Sequence, residues 1–530
     1  MHWAEKIADD VIANAPNKDE YVCAAGISPS GSVHIGNFRD IVTSYFVCQA
    51  LRRRGKKARL LFSWDEFDRM RKVPANVAEL RNDFAQHIGK PYADVPDPFG
   101  CHESYAVHFE REFESALSHF GIEVDFRYQA AEYRSGRYLP HVLTALKKRG
   151  EIFDILDSFR TQEAQPGERE AYYPVSIYCP ICGRDTTTIT AYDETSQTVR
   201  YQCKCGHEDD FCFIKDFNCK LSWKTDWPMR WMVEDLDFEP GGKDHSSPTG
   251  SFATSKVISE RIYGFTPPAY TGYEFIGIKG ATGKMSGSTG LNLTPAALFK
   301  LYQPEVILWL YAKTDPMKAF NFCFDDEILR QYFEFDKMLT QLREGRANEL
   351  THTIMDYSAV PGREIKTVPM AQLVSFGSIV DFMPEMLETI FEKIGTPFAC
   401  EDFEERVDLA KYWLYQCSPE SLNRLRTEFD NEFYATLTAE EQSELICLHD
   451  YLEAGEYNMD DLQAFLYAIP AQVRGELDSA ELKKTQAAFF RNVYRMLIGK
   501  EKGPRLYLFL FALEKSQYLQ LLPSKIFNAH

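Results

Sequence analysis

The sequence has no long hydrophobic run. Its longest candidate, 506–513 (LYLFLFAL), is far shorter than the roughly 18 apolar residues of a membrane span and predicts buried core. The first twenty residues carry acids from the start and show neither the basic nor the apolar segment of a signal peptide. We therefore expect a cytoplasmic protein with no membrane partner.

The sequence also has no excess of positive charge. Its 59 Lys and Arg residues stand against 78 Asp and Glu residues, which gives a formal net charge of −19. That balance argues against a broad nucleic-acid-binding surface, whose usual footprint is basic. A local basic face can still bind nucleic acid, and Arg52–Arg54 with Lys56 and Lys57 is one candidate. The solvated end of a helix is the alternative interpretation.

Repeats of fixed period and low-complexity tracts are absent as well. A chain of 530 residues with 45% hydrophobic and 26% charged residues is typical of an ordinary globular protein of two to four domains. Its thirteen cysteines are odd in number and accompany no signal peptide. Disulfides are improbable in that setting, and clustered cysteines indicate metal binding.

What the sequence does contain is a strand, loop and helix pattern over 21–54. A short apolar run leads into a loop of small residues that includes Gly26, Ser28, Ser30 and Gly31, and HIGN (34–37) opens a helix. The backbone N–H groups at such a helix start can bind an anion, and the imidazole of His34 can donate to phosphate. Taken alone, the loop is more typical of a tight connection in an ordinary α/β domain.

A second loop makes nucleotide binding the better interpretation. The apolar segment 273–278 precedes KMSGSTG (284–290), a glycine-flanked loop with one ammonium and three hydroxyl groups. These groups suit closure over a polyphosphate. HIGN and KMSGS, in this order, resemble the paired HIGH and KMSKS signatures of class I aminoacyl-tRNA synthetases. The resemblance implies an enzyme that activates an amino acid with ATP and loads it onto tRNA.

Acidic residues follow the second predicted strand. ARLLFSW (58–64) predicts a buried parallel strand, and Asp65 and Asp68 come directly after it. The carboxyl ends of such strands are where α/β proteins collect their polar site residues, so both are candidates for the rim of the site. A solvated loop is the alternative.

Two clusters have metal-ligand spacing. One carboxylate, one cysteine and two imidazoles fall within a dozen residues, although adjacent Cys and His residues are often merely packed. Further on, CPICG (179–183) and CKCGH (203–207) predict a small β-ribbon with a tetrahedral structural zinc site. Because the second half is C-x-C, His207 is an alternative to one cysteine there. The candidate ligands are Asp97, Cys101, His102 and His108 in the first cluster, and Cys179, Cys182, Cys203 and Cys205 in the second.

A tryptophan-rich stretch precedes a glycine-rich one. WKTDWPMRW (223–231) predicts a packed wall, which beside Asp226 would also suit a ligand with an aliphatic stem and a cation. We expect a strand over 233–238, followed by the turn EPGGKDH (239–245), whose Asp244 and His245 are suited to ribose hydroxyls.

Six segments occur in a fixed order along the chain: SPSGSVHIGNFRD, the acidic stretch, the CPxCG ribbon, WKTDWPMRW, FEPGGKDH and KMSGS. Together they resemble a class I lysyl-tRNA synthetase, specifically over about 1–300 and more loosely to the C-terminus. The resemblance implies metal ligands in both clusters. Two positions depart from the pattern: KMSGS lacks the second lysine of KMSKS, and Asp40 stands where the family usually has glutamate.

We therefore expect an α/β fold with a Rossmann-type parallel-sheet catalytic domain, inserted zinc-binding elements and an all-α C-terminal domain. The expected catalytic domain is 1–325, with Rossmann halves at 18–92 and 215–290 and the metal-binding insertion at 93–214. Helical periodicity from about residue 324 predicts an α-helical domain over 326–530, which the resemblance assigns to anticodon recognition.

The expected reaction is lysyl-adenylate formation from lysine and ATP with Mg²⁺, followed by transfer to the 3′ end of tRNA(Lys), by a monomer holding one or two structural Zn²⁺ ions. We assign catalysis to His34, Asn37, Lys284 and Ser286. ATP binding is assigned to Ser30, His34, Gly36, Asn37, Asp244, His245, Lys284, Met285 and Ser286, and lysine binding to Gly26, Ser28, Asp40, Trp223, His245 and Tyr273. The alternatives are a class I synthetase for glutamate or cysteine, and a catalytically silent tRNA-binding paralogue.

Overall fold

The structure is a computed structural model that describes residues 1–160, 162, 164–279, 293–455 and 457–525. Among these, no helix combines the length and the apolar character needed to cross a membrane. The chain divides into two compact units: the first comprises 1–323 and 338–363, and the second comprises 324–337 and the residues from 364 onward.

The first unit is built on a five-stranded parallel sheet in the order β10-β9-β1-β2-β3. Three small sheets accompany it: β5-β6-β7, β4-β8 and β11-β12. The strands are β1 (Glu20–Ile27), β2 (Lys57–Trp64), β3 (Asp125–Tyr128), β4 (Val175–Ile177), β5 (Thr187–Asp193), β6 (Thr198–Cys203), β7 (Glu208–Cys212), β8 (Cys219–Leu221), β9 (Phe238–Gly242), β10 (Ala269–Tyr273), β11 (Ile276–Ile278) and β12 (Phe320–Phe322).

Helices surround the sheet in the first unit and form the second unit. The helices before residue 323 and the helix at 349–358 lie in the first unit, and the helix at 327–343 includes residues of both units. They are α1 (Trp3–Asn14), α2 (Ile35–Arg53), α3 (Ala75–Leu80), α4 (Tyr105–His119), α5 (Gln129–Arg134), α6 (Leu139–Lys147), α7 (Arg149–Ser158), α8 (Glu168–Ala171), α9 (Trp223–Val233), α10 (Ser251–Ile258), α11 (Pro295–Leu298), α12 (Pro304–Ala312), α13 (Glu327–Arg343), α14 (Glu349–Ser358), α15 (Met370–Gly377), α16 (Pro384–Lys393), α17 (Cys400–Tyr412), α18 (Asn431–Ala435), α19 (Ala439–Ala454), α20 (Met459–Arg474), α21 (Ser479–Ile498), α22 (Leu506–Ala512) and α23 (Lys515–Tyr518).

The order of the central sheet creates a topological switch point between β1 and β9. From β1 the chain adds β2 and β3 on one side, and it later returns to add β9 and then β10 on the other. Loops after β1 and β9 therefore diverge and leave a crevice at their carboxyl ends, which is where ligands bind in open α/β sheets. The predicted α/β class with a helical C-terminal region is confirmed.

Helix α2 packs on β1, β2 and β9 and is buried along most of its length. Its buried residues include the charged Arg39 and Asp40 as well as apolar ones, so an apolar stripe alone does not describe its inner face. At its C-terminal end, Arg53 and Arg54 pair with Asp356 and Asp9. This end of the helix is therefore balanced by acids of the same unit.

The predicted strand over 233–238 is wrong. The tryptophan-rich stretch forms helix α9, and the strand that follows is β9, which includes Pro240, Gly241 and Gly242. Proline and glycine count against a strand in sequence analysis. Here Gly241 is needed because a Cβ at this position would overlap the ring of Tyr270 on β10.

Candidate functional site

A cavity of about 560 Å³ opens at the carboxyl ends of β1, β2 and β9, beside the switch point. It brings together residues that lie far apart in the sequence. Eight of the residues assigned to catalysis, ATP binding or lysine binding line it: Gly26, Ser28, Ser30, Asn37, Asp40, Trp223, His245 and Tyr273.

Asp40 on α2 lies at the buried end of this cavity. Its carboxylate is 8% exposed, and Oδ2 accepts a hydrogen bond of 3.0 Å from the Tyr273 hydroxyl, whereas no described residue donates to Oδ1. Burial raises the pKa of Asp40 well above its usual value, and the negative charge of Glu239 adds to this rise. A buried carboxylate without a cation is stabilised by a ligand that supplies one.

The tryptophans of α9 form one wall of the site. Trp223 stacks on Trp227 with the ring centroids 5.0 Å apart, and both tryptophans line the cavity. His245 lies against this wall, with its ring centroid 6.0 Å from that of Trp227. An apolar surface next to a buried carboxylate suits a ligand with a hydrocarbon stem and a cationic end.

His34 lies at the start of α2. Its imidazole caps α2, because Nδ1 accepts hydrogen bonds from the backbone N–H groups of Gly36 (3.1 Å) and Asn37 (3.2 Å). His34 and Gly36 are not among the residues that line the cavity. The expected free N–H groups at this helix start are thus bound by the chain itself. Gly36 is required by packing, since a Cβ there would lie 2.9 Å from Cε1 of His34.

Other assigned nucleotide-binding residues fall outside the cavity or outside the described residues. Asp244 lies in a single 3₁₀ turn, Lys243–His245, where it is exposed and does not line the cavity. Lys284, Met285 and Ser286, with the rest of the KMSGS loop, lie outside the described residues.

Both acids after β2 belong to the site and do not form a solvated loop. Asp65 accepts a hydrogen bond of 2.5 Å from Arg230 of α9, and both side chains are buried. Asp68 pairs with Lys220 and accepts a hydrogen bond of 2.9 Å from Ser28. All five residues named here line the cavity.

Lys220, Arg230 and Glu239 also line the cavity and were not predicted from the sequence. The spacing of Asp226 and Arg230, four residues apart on a helix, was a usable signal for an internal ion pair. In the structure Asp226 is fully buried, bound by Arg230 and Tyr133, and does not line the cavity. It therefore does not serve as a ligand-binding carboxylate at the tryptophan wall.

The four predicted cysteines of the ribbon converge. Their sulfur atoms lie within 4.8 Å of one another, with 3.7 Å between Cys179 and Cys205 and 3.6 Å between Cys182 and Cys203. Four sulfurs about 2.3 Å from a tetrahedral zinc would be about 3.8 Å apart, so this set fits a metal ion. His207 is not part of the group, and its Nε2 faces Asp209 at 3.7 Å.

The first cluster also converges. Cys101 Sγ lies 3.1 Å from Nδ1 of His102 and 3.3 Å from Nδ1 of His108, and Asp97 Oδ1 lies 3.5 Å from the latter. Backbone N–H groups of Cys101 and His102 fix the other oxygen of Asp97, each at 2.8 Å. One carboxylate, one sulfur and two imidazole nitrogens form a donor set that can hold a divalent metal.

The parallel sheet has a cavity at its switch point, the HIGN motif opens α2, and a ribbon with four converging cysteines is inserted between the sheet halves. These features together are those of a class I aminoacyl-tRNA synthetase. The model of the family described as tRNA synthetases class I (K) matches residues 1–360, and the chain belongs to this family. The resemblance noted from the motifs is confirmed.

Several relatives called lysine–tRNA ligase match nearly the whole chain, including those of three organisms. That of Thermococcus kodakarensis is 36% identical, with 98% of this chain and 99% of the relative covered. That of Pyrococcus horikoshii is 36% identical, with 98% of this chain and 99% of the relative covered. That of Treponema pallidum is 34% identical, with 96% of this chain and 95% of the relative covered.

Proposed function

We propose that this protein is a lysine–tRNA ligase, which activates L-lysine with ATP to lysyl-adenylate and transfers it to the 3′ end of tRNA(Lys). The observation that carries this proposal is the buried carboxylate of Asp40, bound by Tyr273 and facing a tryptophan wall in the cavity. A lysine side chain matches both features, since its four-carbon stem is apolar and its end is a cation. Relatives of nearly equal length carry the same activity in their names.

Lysine binds in this proposal with its ε-ammonium at Asp40 and Tyr273. Its stem lies along Trp223, and His245 lies near the stem. The α-amino group lies near Gly26 and Ser28, at the end of β1. All six residues line the same cavity, which supports the assignment.

Adenylate formation needs no protein nucleophile. The lysine carboxylate attacks the α-phosphate of ATP and pyrophosphate leaves, so the enzyme has to align the reactants and stabilise charge. Mg²⁺ enters with ATP as part of the substrate. Lys284 and Ser286, with Met285 between them, are assigned to the leaving pyrophosphate.

The phosphate and adenosine side of ATP is assigned to Ser30, Asn37 and His34, and Gly36 is assigned to this side because it carries no side chain that would block the approach. Because Nδ1 of His34 accepts two backbone hydrogen bonds, the ring proton lies on Nε2. A neutral imidazole in this tautomer is a hydrogen-bond donor to phosphate. Asp244 and His245 are assigned to the nucleoside, and a terminal ribose hydroxyl of tRNA, the 2′-OH by the class I resemblance, then attacks the adenylate.

Structural zinc is the ion we propose for the Cys179, Cys182, Cys203 and Cys205 set, because four thiolates form a closed tetrahedral site. A second zinc ion at Asp97, Cys101, His102 and His108 is proposed on the same grounds. Anticodon recognition by the helical region, a monomeric state and a cytoplasmic location remain predictions from the sequence.

The test is amino-acid-dependent exchange between pyrophosphate and ATP, run with and without tRNA. Exchange that depends on lysine supports the proposal, and the arm with tRNA covers an enzyme that activates only when tRNA is bound. Exchange with glutamate or cysteine instead would establish a different specificity. No exchange with any amino acid in either arm would indicate the silent paralogue.

A further inference from the structure

The cavity holds two carboxylates that lack a cationic partner. Four other carboxylates that line it are paired with basic side chains of the chain itself: Asp65 with Arg230, Asp68 with Lys220, Asp185 with Arg69 and Glu234 with Arg127. Asp40 and Glu239, by contrast, lie within ion-pair distance of no lysine or arginine in the described part of the chain. These two are therefore the carboxylates of the cavity that form no ion pair within the described part of the chain, although the charge of Arg230 acts on Glu239 from a longer distance.

Glu239 is held in place by two indoles. Nε1 of Trp227 (2.8 Å) and Nε1 of Trp231 (2.7 Å) both donate to its Oε2. No described residue donates to Oε1, and the side chain is 8% exposed and lines the cavity from β9. Asp40 shows the same arrangement, with Tyr273 bound to one oxygen and no donor to the other. Each carboxylate thus keeps one oxygen for a ligand.

A primary ammonium matches this pair, because it carries one positive charge and three N–H donors. We infer that Glu239 is a second acceptor for the ε-ammonium of the amino-acid substrate, opposite Asp40, and contributes to the choice of lysine. This inference rests on the proposed function. A neutral amino acid would leave both carboxylates buried and uncompensated, and that cost adds to the discrimination. Asp40 is one methylene shorter than the glutamate that is usual in the family, so its carboxylate extends less far from α2 into the cavity. A second carboxylate on β9 fits this difference.

The protonation of Glu239 supports this role. Burial raises the pKa of Glu239 to about 7, although the hydrogen bonds from Trp231 and Trp227 favour the charged form. The other titratable groups around it are Arg230, Asp65, Asp40, Tyr270, Tyr273 and His245. An ammonium binds only the charged carboxylate well, so the KM for lysine should fall as the pH rises from 6 to 8.

The test replaces Glu239 by its neutral isostere, Glu239→Gln, and measures exchange with tRNA present. We expect the KM for lysine to rise about 10- to 100-fold, as for loss of a charge-assisted hydrogen bond, with the KM for ATP nearly unchanged. The fall in KM for lysine between pH 6 and 8 should become smaller, and inhibition by norleucine, which lacks the ε-ammonium, should not weaken. Glu110→Gln is the matched control, since Glu110 is a buried carboxylate that does not line the cavity.

A second variant keeps the charge and perturbs its environment. Trp231→Phe removes one donor to Glu239, from a residue that does not line the cavity. The KM for lysine should then rise more at pH 7 than at pH 8.5. An unchanged KM for lysine in Glu239→Gln, or equal weakening of lysine and norleucine, would overturn the inference while leaving the proposed function intact. A wild-type enzyme without lysine-dependent exchange would instead overturn the proposed function.

Discussion

The hydroxyl of Tyr273 donates a hydrogen bond of 3.0 Å to Oδ2 of Asp40, across 233 positions of the sequence. Asp40 lies on α2, after the first strand, and Tyr273 ends β10, the last strand of the central sheet. The contact therefore joins the two halves of the sheet at the cavity. It also fixes the tyrosine as a donor, which leaves the other carboxylate oxygen for a cation.

Replacing this carboxylate should affect one substrate selectively. For Asp40→Ala we expect the KM for lysine to rise about 10- to 100-fold, because a charge-assisted hydrogen bond to the ammonium is lost, and the KM for ATP to change little. Exchange kinetics with each substrate varied in turn provide the measurement. Tyr273→Phe, which keeps the charge, should show a smaller effect of the same kind. Equal changes in both KM values would show that the assignment of Asp40 is wrong.

Much of this fold was predictable because its strands and helices follow simple rules. Buried parallel strands appear as apolar runs, and the run over 58–64 forms β2 (Lys57–Trp64). The predicted ribbon forms β5 and β6. The strand after the tryptophans was misplaced because Gly241 makes room for a ring on a strand that is distant in sequence.

Site residues were predictable where the chemistry of a single side chain indicates its role. Asp40 and Tyr273 were assigned separately, and the structure places them in contact. Glu239 was missed because its role depends on two indoles that reach it from α9, which no local pattern reveals. His34 shows a further limit, since sequence indicates a helix start but not that the imidazole itself caps it.

Lys284 is expected to act on the leaving pyrophosphate. For Lys284→Ala we predict slow adenylate formation with near-normal tRNA binding, because only one ammonium of the KMSGS loop can offset the developing charge. Pyrophosphate exchange and filter binding of tRNA measure the two effects. Lys256→Ala, an exposed lysine of α10 outside the cavity, is the control and should exchange normally. Unimpaired exchange in Lys284→Ala would rule out its role.

The ribbon cysteines should determine metal content. Cys182→Ser is expected to lose one zinc ion per chain and to lower the melting temperature, since structural zinc contributes directly to folding. Metal analysis by mass spectrometry and thermal unfolding measure both effects. Cys212→Ser is the control, because this cysteine of the same ribbon is not part of the four-sulfur group. Full zinc content in Cys182→Ser would contradict the proposed ligand set.

Arg230 should be essential for stability. It is buried between Asp65 and Asp226, and removing it leaves two buried carboxylates without their cation. We expect Arg230→Met to cost about 3–5 kcal/mol in the free energy of unfolding, measured by denaturant titration. Arg200→Ala, which breaks an exposed pair with Asp210, should leave the free energy of unfolding nearly unchanged, because solvent screens that pair. Similar losses in the two variants would show that burial does not determine the value of the Arg230 pairs.

Glu66 gives a prediction about pH. Its carboxylate is 4% exposed and accepts hydrogen bonds from the backbone N–H groups of Gln129 (3.0 Å) and Ala130 (2.7 Å), at the start of α5. Burial raises the pKa of Glu66 to about 8. Because the pKa is higher in the folded state, the folded protein favours the protonated form. The stability from this group is present below the unfolded-state pKa and is lost as the pH rises through about 8.

Glu66→Gln removes this titration and keeps a side-chain oxygen that can accept one of the two N–H groups. The free energy of unfolding of the variant relative to the wild type should therefore increase between pH 5 and pH 8, by on the order of 3 kcal/mol. Loss of the second hydrogen bond lowers the stability of the variant by the same amount at every pH, so the change in the difference isolates the titration. Urea unfolding of both proteins at pH 5, 6, 7 and 8 gives this change. A difference that is constant with pH, or that decreases, would mean that burial does not keep Glu66 protonated in the folded protein.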